Sequence, residues 1–173
     1  MPLMYQTASG YRLKLKLFTV PGQVIHAATR RVVIAGADGV VFVANSQTTQ
    51  AEANNEYWQG MQQYMRETGV DAAAVPTVVQ FNKQDMPDAR NLADLEGMRS
   101  LSSQPIYTAV AIRGEGVLET LRGLMTMMFE DLNRRYDFEA KFQFRGARSL
   151  APFLKPLMAD SSHRVMNNER VVG

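Results

Sequence analysis

The run Asn82-Lys83-Gln84-Asp85 directly follows the apolar stretch 76–81, so its polar side chains come where a buried strand should end. A carboxylate such as Asp85 can accept two adjacent N–H donors at once, and guanine presents such a pair in its N1–H and 2-amino groups. Adenine lacks this pair and would leave the carboxylate without a partner. Asn82 can reach the N7/O6 side of the base, and the Lys83 stem can lie across its plane. The run therefore predicts a guanine-binding site.

The alternative interpretation of this run is structural. Asn and Asp also serve ordinary turns, and Pro87 follows closely. We favour binding because α/β sheets hold their ligands beyond the carboxyl ends of their strands, which is where this run lies.

A second loop that can support chemistry is Thr19-Val20-Pro21-Gly22-Gln23. A glycine in a turn lets backbone N–H groups approach a terminal phosphate, and a glutamine after it can orient a water molecule for attack on phosphorus. Taken alone, Pro-Gly is also an ordinary turn pair. The sequence therefore supports a phosphate-binding role for this loop only in combination with the predicted guanine-binding run 82–85.

Four predicted strands must position these loops. The segment Arg12–Leu17 alternates cations and leucines, which is typical of a strand with one wet face. The segments Gly39–Ala44 and Pro76–Phe81 are short apolar runs, as in parallel strands covered on both faces, and a short strand is expected over Ile106–Ala109. Strands alternating with helices predict an open, mostly parallel α/β sheet.

Four helices are predicted between and after these strands. Thr49 and Glu52 have the spacing of a capping box at the start of the second helix, and Gly69 should end it. A stripe of apolar residues at helical spacing predicts a long last helix. The predicted segments are Val24–Ala35, Thr49–Gly69, Asn91–Ser100 and a helix starting near Glu115.

Composition excludes several classes of function. The chain has 173 residues, 19 Lys and Arg against 17 Asp and Glu, and a net charge of +2, which argues for one domain that does not bind nucleic acid. The absence of cysteine excludes disulfides, thiolate metal sites and a thiol nucleophile. His26 and His163 lie far apart in sequence, so a histidine metal site has little support, and no metal ligands are assigned.

The sequence also has no membrane or export signal. Its most apolar stretch, Val32–Val43, is interrupted and too short for the ~20 residues that cross a bilayer. Residues 1–10 lack the basic start and apolar run of a secretory signal. We therefore expect no transmembrane segment and a cytoplasmic location.

Three segments together carry a family resemblance. The runs Leu17–Gln23, Asp38–Ala44 and Asn82–Asp85 resemble the corresponding segments of Ras- and Arf-like small GTPases, and in detail those of the bacterial MglA-type GTPases that set cell polarity and motility. The likeness covers about residues 1–133. It implies a Ras-like P-loop NTPase-type three-layer α/β fold with a mostly parallel sheet.

The resemblance also implies roles for particular residues. Asn82, Lys83 and Asp85 would bind guanine, and a backbone N–H at Ala111 would bind its O6 atom. Gly22 would sense the γ-phosphate, and Gln23 would be the catalytic glutamine. GTP and GDP are the implied ligands, and hydrolysis would switch the domain off.

The surface Val24–Gly36 is where such proteins change shape with nucleotide state and meet regulatory proteins. His26, Arg30 and Arg31 are candidates for that surface. A solvated helix face remains the alternative for them.

Three positions depart from the family pattern. Thr19 stands where most small GTPases have an aspartate that supports Mg²⁺, although the MglA type tolerates threonine there. Ile112 replaces a common lysine, and Asn45-Ser46 replaces the usual Asp-Ser.

The largest departure is that no G-x-x-x-x-G-K-[ST] run occurs in the 173 residues. The fold is therefore expected to lack its first strand and phosphate-binding loop, which in the family lie between the strands matching Leu13–Thr19 and Gly39–Asn45. Mg²⁺ is expected only with that loop, since the loop supplies the metal's hydroxyl ligand. We expect either an N-terminally shortened GTPase, which would be weak or inactive as it stands, or a non-catalytic pseudo-GTPase that acts as a protein-interaction module; the first is preferred.

Two regions follow from this interpretation. Residues 1–133 would form the incomplete Ras-like G domain. Residues 134–173 carry eight Lys and Arg against four Asp and Glu and would form a basic, partly flexible extension.

Overall fold

The computed structural model describes residues 3–6, 12–20, 32–137 and 140–141 of the 173. Its first two strands, β1 (Leu3–Gln6) and β2 (Arg12–Leu15), pair in antiparallel register, with Leu3 opposite Leu15. Sequence reasoning did not assign β1. It also placed the end of β2 too late, because the ladder with β1 ends at Leu15 and residues 16–20 have no regular structure.

A parallel sheet of three strands lies at the centre of the described fold, in the order β3-β4-β5. The strands are β3 (Val40–Asn45), β4 (Thr77–Asn82) and β5 (Ile106–Thr108). Val40 pairs with Thr77, and Val79 pairs with Ile106. The three apolar runs therefore form parallel strands as predicted, each within one residue or so of the expected bounds.

Helices follow the strands in the expected order. They are α1 (Ala51–Glu67), α2 (Leu92–Leu101) and α3 (Val117–Tyr136). Residues 32–35 are helical and are the described part of the helix predicted over Val24–Ala35. Asn91 caps α2, since its Oδ1 accepts the N–H of Asp94 at 2.9 Å.

The capping box predicted from Thr49 and Glu52 is wrong. Residues Thr48–Gln50 form a short 3₁₀ turn, and α1 begins only at Ala51. The Thr49 hydroxyl donates instead to Asp88 Oδ2 at 3.3 Å. The Thr49 hydroxyl, which the local spacing assigned to the start of the helix, is therefore bonded to the Asp88 carboxylate of another loop.

Helices cover both faces of the parallel sheet. On one face Leu95 of α2 packs with Phe81 and Ile106, and Trp58 of α1 meets Phe42 edge-on with ring centroids 5.0 Å apart. The strand residues among them, Phe42, Phe81 and Ile106, share one face of the sheet. Phe42 pairs with Val79, which lies two positions from Phe81 on β4 and pairs with Ile106.

Helix α3 covers the opposite face. Thr120 is 1% exposed and accepts a hydrogen bond from Gln80 Nε2 at 2.7 Å. Gly39, directly before β3, lets Met128 and Leu124 approach the backbone. The three-layer arrangement of helices, sheet and helix is thus confirmed.

Strand β3 lies at the edge of the described parallel sheet, since its hydrogen-bonded strand neighbour there is β4. Val43 on this strand is 56% exposed. At the last residue of this strand, a side chain bonds both backbone groups. Asn54 Oδ1 accepts the Asn45 N–H at 2.9 Å, and Asn54 Nδ2 donates to the Asn45 carbonyl at 2.8 Å. One carboxamide thus takes the place of a strand partner at Asn45.

Candidate functional site

Three loops meet at the carboxyl ends of β3, β4 and β5. Backbone hydrogen bonds join them: the Ser46 N–H donates to the Asn82 carbonyl at 2.8 Å, and the Gln84 N–H donates to the Ala109 carbonyl at 3.1 Å. The Arg90 N–H donates back to the Ser46 carbonyl at 2.8 Å. The run 82–85 therefore lies at the centre of a cross-linked group of loops.

Gln84 is the main side-chain link among these loops. Its Oε1 accepts the hydroxyl of Ser46, which is completely buried, and its Nε2 donates to the Arg90 carbonyl at 2.6 Å. Sequence reasoning missed this role, because Gln84 occupies the variable position of Asn-Lys-x-Asp. Ser46, the serine that the Asn45-Ser46 pair shares with the usual Asp-Ser pair, is one of its anchors.

Asn82 and Ala111 are in direct contact. The Ala111 N–H donates to Asn82 Oδ1 at 2.9 Å. Both residues were assigned to the guanine base, one through its side chain and the other through its backbone. The structure therefore brings these two together, and the Asn82 Nδ2 group is left on the same carboxamide as a donor.

Lys83 has an unusual backbone. Its φ angle is 66°, in the left-handed region that non-glycine residues rarely adopt. Such a conformation costs on the order of 1 kcal/mol and persists where the surroundings determine it. Here the neighbouring Gln84 N–H bond to Ala109 holds the turn, and Lys83 is exposed.

Asp85 lies near a cation from the third loop. Arg113 Nη2 is 3.7 Å from Asp85 Oδ2, and the two side chains are 59% and 26% exposed. Arg113 ends the 3₁₀ turn Ala111–Arg113, which follows β5. Sequence reasoning did not single out Arg113, because an arginine in a loop carries no local signal of its partner.

Ile112 departs from the family lysine and is 91% exposed. It follows Ala111 directly, at the rim of the three loops. A flat ligand that covers this exposed apolar side chain would be stabilised by the burial of its surface.

The other predicted site residues lie outside the described residues. These are Gly22 and Gln23, together with His26, Arg30 and Arg31 of the predicted regulator surface. The structure describes this predicted surface only from residue 32 onward, where Val32 is 75% exposed and Ile34 is buried.

Two further features of the described residues bear on metal and membrane binding. No group of three or more His, Asp or Glu side chains within 3–6, 12–20, 32–137 and 140–141 is placed to hold a metal ion. In the same part of the chain, no helix is both long and apolar enough to cross a bilayer.

Comparison with known proteins identifies the family. The model of the ADP-ribosylation factor family matches residues 4–128, which is well over half of the chain and includes all three loops. The chain belongs to the Arf family. It is also similar to the mutual gliding-motility protein MglA of Myxococcus xanthus strain DK1622, with 36% identity over 134 residues, or 78% of this chain and 69% of that protein.

These matches confirm that this Arf-family member is a small Ras/Arf-like GTPase of the MglA type. The family is one of small GTPase switches, whose members generally bind GTP or GDP with Mg²⁺. The donor and acceptor groups described above fit the guanine part of such a ligand. They comprise the Asp85 carboxylate and the Asn82 carboxamide at the end of β4 and the Ala111 N–H on the loop after β5, two segments that are hydrogen-bonded to each other.

Proposed function

We propose that this chain is a guanine-nucleotide switch domain whose base site is formed by Asn82, Lys83, Asp85 and Ala111. The hydrogen bond between Asn82 Oδ1 and the Ala111 N–H supports this most directly. It holds two of the assigned groups at one rim, on loops that are far apart in sequence.

The base site selects guanine through complementary hydrogen bonds. The Asp85 carboxylate accepts from N1–H and the 2-amino group, and a purine without these donors leaves it unpaired. The O6 atom is assigned to the Ala111 N–H, which donates to Asn82 Oδ1 in the structure and would exchange that acceptor for O6 when guanine binds. The Asn82 Nδ2 donor serves the N7/O6 edge. Lys83, exposed and fixed in its turn, covers the base plane with its stem.

The catalytic step is assigned to the Pro21-Gly22-Gln23 turn. Gly22 offers its backbone to the γ-phosphate, and Gln23 orients the attacking water. Loss of the γ-phosphate then changes the neighbouring surface Val24–Gly36 and releases a regulatory protein. The name of the M. xanthus relative, a mutual gliding-motility protein, supports a role in motility. A role in cell polarity rests on the resemblance to the MglA-type GTPases alone.

Affinity is expected to be low for the 173 residues as they stand. They contain no G-x-x-x-x-G-K-[ST] run, and that run supplies the N–H groups and the lysine that bind the phosphates. We expect a dissociation constant on the order of 1 mM from the base contacts, which corresponds to about −4 kcal/mol.

The test is a titration with GDP and ADP, followed by the amide NMR signals of Ala111 and Asp85. GDP should shift these signals, and ADP should bind at least about tenfold more weakly. Asp85→Ala should abolish the preference, whereas Asp38→Ala, in the turn before β3, should leave it unchanged. Equal or absent effects of GDP and ADP would overturn the base site and favour a non-catalytic interaction module.

A further inference from the structure

Arg113 is the cation nearest to the Asp85 carboxylate among the ion pairs of the described residues. Its Nη2 atom lies 3.7 Å from Asp85 Oδ2, and its Nη1 atom lies 4.0 Å from Glu115 Oε1. The guanidinium therefore lies between two carboxylates, one on the loop after β4 and one on its own loop.

The distance between Arg113 and Asp85 shows what kind of contact this is. A charge-assisted hydrogen bond between these groups would measure about 2.7–2.9 Å, and a bidentate pair would use both oxygens. At 3.7 Å, through one nitrogen and one oxygen, the guanidinium attracts the carboxylate without occupying its hydrogen-bonding positions. Asp85 thus keeps its acceptor sites for another ligand.

The main chain that carries Arg113 is held in place. The Ala111 N–H is bound by Asn82, and the Val110 N–H donates to the Glu115 carbonyl at 3.0 Å. Gly114 turns the chain back, with a φ of 77°. The cation therefore projects from a fixed turn toward one side of the carboxylate.

We propose that Arg113 is a positioning residue that sets the selectivity of the base site for a purine with a 2-amino group. It holds the Asp85 carboxylate from the side and leaves both oxygens free for the N1–H and 2-amino donors. This rests on the proposed function of Asp85. Arg113 acts through Asp85 and makes no contact with the base itself.

Such a role predicts different affinities for two nucleotides that differ only in the 2-amino group. GDP has this group, and inosine diphosphate lacks it, whereas their phosphates, ribose and O6 atom are the same. A general electrostatic effect of Arg113 on the phosphates changes both affinities equally and cancels in their ratio. An effect through the Asp85 carboxylate changes the ratio.

The experiment measures the affinities of the 173-residue chain for GDP and inosine diphosphate by NMR titration. The wild-type protein should prefer GDP by on the order of tenfold. Arg113→Ala should lower this preference about threefold, as expected for an exposed ion pair. Arg113→Lys should restore most of it, and Arg122→Ala, which removes an exposed arginine of α3, should leave it unchanged.

Three further outcomes decide whether Arg113 has this role. In an Asp85→Ala background, Arg113→Ala should have no effect on the ratio, because the group through which it acts is gone. An unchanged or increased GDP preference in Arg113→Ala alone overturns the role of Arg113 and leaves the base site standing. A wild-type protein that binds neither nucleotide, or binds both equally, overturns the base site and this role with it.

Discussion

The backbone N–H of Ala111 donates to Asn82 Oδ1 at 2.9 Å, which fastens the loop after β5 to the loop after β4. Both groups were assigned to the same ligand from sequence. Their mutual bond means that the rim of the site is held together by the groups proposed to recognise the base.

Asn82→Ala should loosen this rim. The Ala111 amide loses its acceptor, worth about 1 kcal/mol, so its hydrogen exchange should become about fivefold faster. Asn82→Asp keeps an acceptor oxygen and should preserve the protection while it removes the Nδ2 donor and weakens GDP binding. Amide exchange and GDP titration by NMR measure both effects. Equal protection of Ala111 in Asn82→Ala and wild type would contradict this prediction.

Gln84→Leu should destabilise the whole group of loops. It leaves the buried Ser46 hydroxyl and the Arg90 carbonyl without their side-chain partner, and we expect a loss of about 1–3 kcal/mol in the free energy of unfolding. Urea unfolding measures this loss. Gln63→Leu is the control, because Gln63 bonds Glu67 on the exposed surface of α1 and should change stability by less than about 0.5 kcal/mol. Similar losses for both variants would argue against Gln84 as the link.

Thr120→Val should leave the Gln80 amide buried without an acceptor. The expected loss is about 1–3 kcal/mol in unfolding free energy, because Gln80 is 6% exposed and its bond to Thr120 joins α3 to β4. Adding Gln80→Leu should recover part of the loss, since both polar partners are then gone. Thr126→Val, on the exposed part of α3, is the matched control. A double variant no more stable than the single one would refute the pairing.

Gly116→Ala should be severely destabilising. Gly116 precedes α3 with a φ of 74°, and an added Cβ would run into the carbonyl oxygen of Thr108, which belongs to the backbone of β5. We expect a loss of more than about 3 kcal/mol, by thermal or urea unfolding.

Gly60→Ala provides the contrast to this variant. Gly60 lies inside α1 with open space around it, so alanine there should stabilise the fold by about 0.5–1 kcal/mol. Opposite signs for the two variants are the expected result. A mild effect at Gly116 would mean that β5 and α3 are not held as closely as described.

The sequence was sufficient for the elements whose signal is local. The apolar runs that became β3, β4 and β5 are short and continuous because both faces of the sheet are covered, and the segments between them have helical periodicity. The position of Asn82 and Asp85 at the end of β4 followed from the same local reasoning. Strand β1 was not predicted, because a strand of four residues carries too little pattern to be distinguished from a loop.

Tertiary structure decided what happens between distant segments. Thr49 was expected to cap a helix, but its hydroxyl donates to Asp88 of another loop. The Asn54 side chain bonds the backbone N–H and carbonyl of Asn45 at the end of β3. These hydrogen bonds depend on which loops meet in space and on the orientation of each carboxamide. The periodicity of apolar residues along the chain contains no information about either.

The amino-acid order by itself thus determined a parallel sheet and the identity of the polar residues at its carboxyl edge, because side-chain periodicity follows directly from backbone geometry. Only the folded chain placed Arg113 beside Asp85 and Ala111 against Asn82. The physical reason is that such pairs are formed by packing of the helices against the sheet, which brings three loops from separate parts of the chain to one edge.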